Sequence, residues 1–286
     1  MKKFLTVLVS LAAAVLISAF LAPALYPLLP FKFEKILNRL LIISFFIVCF
    51  TSVRINRAFF EECGLRLDKK VSFTYWLTGF LTSFSILFFL ILLEYKIGVL
   101  QFSEPFSLGA LLVLTSLFTG VTVGLVEEFF FRGFLFLNFK RLSNMGVSVV
   151  ITSVIYSFVH FLKSGKPLVD TAPDMTDSFR VILSSLQVFS SWGTIWPAFI
   201  GLFLFGIVLN LVFIRTKSLF WVMGIHAGAV FLLKLISPFY TVNPQYSTLI
   251  FGERGFYSGI LGWVFTCLIG LSVYYLSSLA LFRKSR

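Results

Sequence analysis

Charge is what this chain has least of. Only 13% of its 286 residues are Asp, Glu, Lys or Arg, against about 25% in an ordinary soluble domain, while 58% are hydrophobic. With a mean hydropathy of +0.98, that balance excludes a soluble globular domain and points to a polytopic membrane protein. Histidine is scarcer still, at two residues, His160 and His226. The three cysteines, Cys49, Cys63 and Cys267, follow no spacing pattern, so neither a disulfide framework nor a thiolate metal site follows from them. Internal repeats and low-complexity stretches are lacking too. The net charge of +12 comes without any soluble stretch long enough to form a basic groove. It therefore argues for anchoring at an anionic membrane leaflet and against nucleic acid as a partner. The 38 phenylalanines are read as lipid-facing filler.

What is present is a series of apolar runs. Lys2 and Lys3 are followed by an uncharged run to Phe31, too long for the ~7–15 residue core of a signal peptide and ended by Pro23, Pro27 and Pro30. Further spans are expected at about Ile36–Val53, Val71–Leu93, Leu108–Phe139, Met145–Leu162, Trp196–Ile214, Leu219–Ile236 and Tyr257–Phe282. The expected fold is all-α, with about eight transmembrane helices. Arg54–Lys70 is a charged connector, and Lys163–Ser191 a longer polar one whose second half, Phe179–Phe189, suits an amphipathic surface helix. Lys and Arg are commoner in the connectors that share a side with Lys2 and Lys3, which predicts both termini in the cytoplasm.

One apolar run is interrupted by charge. Glu127-Glu128-Phe129-Phe130-Phe131-Arg132-Gly133 lies inside the fourth expected span. An ionisable side chain there costs ~2.5–3.5 kcal/mol on insertion scales, so it needs a partner or a wet cavity, and it defaults to a functional reading. Glu128 and Arg132 are four apart on one helical face, acid first, which suits an ion pair. Glu127 is turned ~100° away and is the freer acid. The plain alternative is an ion pair that staples helices together.

Both histidines also fall in apolar runs. His160 follows Tyr156 by four, so phenol and imidazole share a face, and His226 sits between Gly224 and Gly228, which permit close helix approach. A desolvated Glu127 with His160 can activate a water for attack on a carbonyl, and His226 or an amide side chain can stabilise the oxyanion. The same Glu127, His160 and His226 could instead hold a zinc ion with an open water position. Spacing does not choose between these.

These residues resemble the CAAX protease and bacteriocin-immunity family of intramembrane endopeptidases (CPBP, or Abi). Its first motif, two glutamates with an arginine four after the second, is intact as Glu127, Glu128 and Arg132. The second, phenylalanine-x-x-x-histidine, reads Tyr156-Ser-Phe-Val-His160, and the third, histidine-x-x-x-asparagine, reads His226-Ala-Gly-Ala-Val230, with valine where the asparagine belongs. The resemblance implies a protease core over residues 107–236, preceded by N-terminal helices over 1–106 and followed by a loop and last helix over 237–286. It implies that Glu127 and His160 activate water, with Glu128 and Arg132 supporting and His226 at the oxyanion. Asn210, a lone amide in an apolar run, is either a replacement for the missing asparagine or a helix-packing hydrogen bond, and Tyr156 is a further candidate for the substrate or oxyanion site. The implied activity is cleavage of a membrane-associated peptide or protein, prenylated substrates included, without a cofactor unless zinc binds. The implied location is a bacterial inner membrane. The alternatives are a non-catalytic relative acting in immunity or as a scaffold, and a transporter using the buried charges as a proton relay. Two-fold hydropathy symmetry, which would favour a transporter, is lacking.

Overall fold

The computed structural model describes residues 2–52, 57–65, 68–103, 109–162, 172–252 and 257–279. Its helices are α1 (Lys2–Leu25), α2 (Phe33–Ser52), α3 (Arg57–Glu62), α4 (Lys69–Lys96), α5 (Ala110–Glu128), α6 (Leu137–Leu142), α7 (Met145–Phe161), α8 (Met175–Leu186), α9 (Trp192–Thr216), α10 (Leu219–Ile236), α11 (Thr248–Phe251) and α12 (Ile260–Leu276). Two short strands accompany them, β1 (Leu100–Phe102) and β2 (Tyr240–Val242), paired antiparallel with Leu100 opposite Val242 and Phe102 opposite Tyr240. The expected all-α membrane protein is what forms, with this strand pair as an addition. Among the described residues, four helical stretches are long and apolar enough to cross a bilayer: Lys69–Lys96, Ala110–Leu142, Met175–Thr216 and Leu219–Phe239. Ala12–Leu28, Met145–Phe161 and Ile260–Leu276 are apolar but shorter.

The chain divides into two units, with boundaries at the start of α3, within α7 and within α9. The first comprises Met1–Asn56 and Phe158–Ile195. Here α1 and α2 pack together, and Val181 of α8 joins Ala22, Phe33, Ile36 and Leu37 in a small apolar core. Ser178 Oγ donates to the Ala19 carbonyl at 2.9 Å. A capping box starts α8: Asp174 accepts from the backbone N–H of Asp177, and Asp177 accepts from that of Asp174. That bond to the Asp177 amide, ahead of smaller contributions, holds the exposed Asp174 carboxyl below its usual range. The cap starts this helix at Met175, four residues before the sequence pattern suggested.

The second unit, Arg57–Ser157 with Trp196–Arg286, is built around α10. Its residues from Trp221 to Ala229 are all buried. Small residues explain why. Gly224 faces the Trp76 carbonyl of α4 and Gly79 faces that of Trp221, so no side chain separates the two backbones. On the other side, a Cβ at Gly120 of α5 would lie 2.6 Å from the Ala227 carbonyl oxygen, and one at Gly124 2.7 Å from that of Met223. The order of these contacts makes α4 parallel and α5 antiparallel to α10. Ser83 Oγ ties α4 to the Ile225 carbonyl at 2.7 Å, one residue before His226.

Candidate active site

The rod that begins as α5 changes winding at Glu128. Phe129–Phe136 form a π-helix, after which α6 resumes the ordinary pitch. Such wider segments are rare and concentrate at functional sites. Arg132 lies within it, and its Nη1 donates to Glu128 Oε1 at 2.9 Å. Both side chains are buried, at 1% and 0% exposure. A buried pair recovers its desolvation cost only with further hydrogen bonds and good geometry. Arg132 Nη2 supplies one by donating to the Gly206 carbonyl of α9 at 3.2 Å. Its guanidinium also lies over the Tyr156 ring at 4.9 Å, a cation–π contact in a dry setting.

Glu128 has a second partner. His226 Nδ1 lies 2.6 Å from Glu128 Oε1, the same oxygen that takes Arg132. A carboxylate oxygen only accepts, so in the tautomer that makes this bond Nδ1 is the donor and the Nε2 lone pair is left for other work. Nε2 lies 3.9 Å from Glu127 Oε2. Glu127 is 30% exposed where Glu128 is wholly buried, so the two adjacent acids have different environments. Phe205 and Tyr156 stand edge-on to the imidazole, with ring centroids at 5.7 and 6.1 Å.

The second unit thus gathers Glu127, Glu128, Arg132, Tyr156 and His226. His160 is a half-buried residue in the last turn of α7 and belongs to the first unit. Val230 is half-buried one turn beyond His226 and offers no donor. Asn210 has the partners of a helix-packing amide. Its amide nitrogen donates to Thr152 Oγ1 at 2.9 Å and Ser153 Oγ at 3.1 Å. Those N–H groups bind α9 to α7, as a buried amide takes the hydroxyls nearest to it. No three His, Cys, Asp or Glu side chains among the described residues converge as metal ligands.

The sequence reading missed the floor beneath this site. Cys63 Sγ contacts the Gly133 carbonyl at 3.9 Å, its own carbonyl accepts from the Leu219 N–H, and Glu62 pairs with Arg141. Burial, with the Glu62 charge behind it and Arg141 opposing, pushes the Cys63 thiol up to about 12. The connector holding it read as a solvated loop because its charges outnumber its apolar residues.

With this geometry in view, the comparison with known families is decisive for one stretch. Residues 109–232 match the Rce1-like family of type II CAAX prenyl endopeptidases. The match runs from the start of α5 to within α10 and bears out the resemblance drawn from the three motifs. No curated protein and no solved structure matches the chain. Residues 109–232 are thus similar to a family of membrane proteases, and the long apolar helices mark the chain as an integral membrane protein.

Proposed function

We propose that this chain is an intramembrane endopeptidase that hydrolyses a peptide bond in a membrane-associated peptide or protein, prenylated substrates included. The observation that carries the reading is the arrangement Arg132–Glu128–His226, with His226 Nε2 facing Glu127 at 3.9 Å. Two groups at that separation can share one water, each at the ~2.8 Å of an ordinary hydrogen bond. Glu127 and Nε2 would then draw a proton from the water as it attacks the carbonyl carbon. The water oxygen forms the new C–O bond, and the proton passes to the leaving nitrogen as the C–N bond breaks. The imidazolium formed in between has a carboxylate on each side, and Arg132 balances the second negative charge. Glu128 acts as the positioning residue, fixing the tautomer and orientation of the ring.

This assignment departs from the family pattern, in which the third-motif histidine serves the oxyanion. His160 keeps the role the motif gives it, sharing in water activation, on the strength of the motif alone. The reading needs no cofactor. Zinc held by Glu127, His160 and His226 is the alternative chemistry for the same residues. The proposal includes eight membrane spans, both termini in the cytoplasm of a bacterial inner membrane, membrane lipids as the surroundings and no nucleic acid as partner.

The test is turnover of labelled membrane peptides by the purified full chain. Glu127→Gln should lose at least ~10²-fold in kcat, the range for removing a positioned acid–base group. Prolonged chelation should leave the wild type active, whereas activity lost to chelator and restored by Zn²⁺ favours the metal alternative. Equal inactivity of the wild type and Glu127→Gln on every peptide tried sinks the enzyme reading and favours a non-catalytic immunity or scaffold role.

A further inference from the structure

Nothing in that chemistry uses α3 or the turn after it, and residues 57–64 lie outside the stretch that matches the Rce1-like family. Yet they touch the residue that follows each member of the buried ion pair. Phe59, itself buried, stands edge-on to Phe129, the neighbour of Glu128, with ring centroids at 5.9 Å. Cys63 Sγ donates to the carbonyl of Gly133, the neighbour of Arg132, at 3.9 Å. A Cβ on Gly133 would sit 3.4 Å from that sulfur, so no gap separates the turn from the π-helix. Contacts from outside matter there, because the wider winding is the rarer one and does not enforce itself.

The same turn holds α10. The Cys63 carbonyl accepts from the N–H of Leu219, the first residue of α10, at 3.2 Å. Gly64 permits the approach. Its φ of +68° is left-handed, and a Cβ there would overlap the Lys217 carbonyl in the turn between α9 and α10. Lys217 is itself left-handed, at φ 51°, a conformation uncommon outside glycine. Two left-handed residues therefore meet backbone to backbone. Leu219 is two turns before His226, ~10 Å at 1.5 Å per residue.

One short turn thus grips both backbones that supply the site, the π-helix beside Glu128 and Arg132 and the start of the helix that carries His226. We propose that Phe59, Cys63 and Gly64 are positioning residues that set the register of the π-helix against α10, and with it the 2.6 Å bond between Glu128 and His226. A slip of ~1 Å would take that bond past the ~3.2 Å limit of an ordinary hydrogen bond. The exposed Glu62–Arg141 pair spans the same junction and adds little to the grip, as surface pairs do. The consequence for turnover rests on the peptidase reading; the register itself does not.

The test compares variants of the full chain in detergent by NMR of labelled histidine ring nitrogens and by turnover of labelled membrane peptides. With two histidines in the chain, the His226 signals are those lost in His226→Gln. Gly64→Ala should move the His226 signals and lower kcat ~10–10²-fold, the cost of misplacing a reacting group by about an ångström. KM should stay within about twofold, because a lost register withholds transition-state contacts and not substrate binding. Gly259→Ala is the control for stability alone, since its Cβ would meet the Gly252 backbone nitrogen at 2.5 Å, outside this junction. It should lower Tm and leave the His226 signals and kcat as they are. His226 signals unmoved in Gly64→Ala, or moved as far by Gly259→Ala, overturn the proposal. So do moved signals with kcat intact. Should Gly64→Ala fail to fold, unmoved His226 signals in Phe59→Leu overturn it equally. A wild type without turnover sinks the enzyme reading alone, and the ring signals still decide whether the turn sets the register.

Discussion

At the scale of single residues the candidate site turns on one oxygen, Glu128 Oε1, which accepts from both Arg132 and His226. The first partnership was legible in the sequence, because a separation of four brings an acid and a base together on a helix. The second was not: nothing in the spacing joins residues 98 positions apart, and only the packing of α5 on α10 does so. The partners of Asn210 were hidden for a related reason, since its acceptors Thr152 and Ser153 lie on another helix. Val230 remains the departure from the family motif, and it makes a prediction. Val230→Asn should raise kcat more than it changes KM, because an oxyanion donor acts on charge present only in the transition state. Asn210→Ala should lower Tm while leaving kcat within a few-fold, its amide being spent on α7. Comparing the two single variants with the double on kcat tests this. A heavy loss of kcat in Asn210→Ala, with no gain in Val230→Asn, would return Asn210 to the oxyanion role.

At the scale of elements, most helices were readable as apolar runs, and α10 has the expected bounds, Leu219–Ile236. Two features were hidden. The π-helix at Phe129–Phe136 has no signature in its composition, which suits an ordinary helix equally well. The strands Leu-Gln-Phe and Tyr-Thr-Val are three residues each, too short for alternation to show. The glycines around His226 were legible as permitting close approach, and the packing supports a stability test. A methyl at residue 224 overlaps the Trp76 backbone carbonyl, which cannot swing aside as a side chain can. Gly224→Ala should therefore cost ~1–3 kcal/mol, the usual range for overpacking. Gly193→Ala is the matched control, since nothing lies within 4 Å of the added carbon. Near the start of α9 it should be neutral or stabilise by up to ~1 kcal/mol. Equal effects at the two positions, measured by unfolding in detergent, would mean that α4 and α10 do not touch backbone to backbone.

At the scale of the whole molecule the open question is which way the chain faces. The parallel run of α4 and α10 and the opposite run of α5 agree with the alternation expected of successive spans. With Lys2 and Lys3 in the cytoplasm, α10 starts at the cytoplasmic side, and His226 lies ~10 Å in from Leu219 at 1.5 Å per residue. The candidate site would then serve substrates presented from within the cell. Single cysteines can check this once Cys49 and Cys267 are replaced. Cys63 can stay: it is buried, and with its thiol pushed up to about 12 it remains protonated and unreactive toward maleimide at pH 7.5. Only as the pH climbs toward 12 does its thiolate become a competing target. Lys3→Cys and Ser285→Cys should resist a membrane-impermeant maleimide in intact cells and react after permeabilisation. Thr176→Cys, exposed near the start of α8, should react in intact cells. The reverse pattern would put the N-terminal end of α10 outside, and the candidate site would then lie nearer the external face. Substrate would have to come from there, and the charge bias of the connectors would have misled.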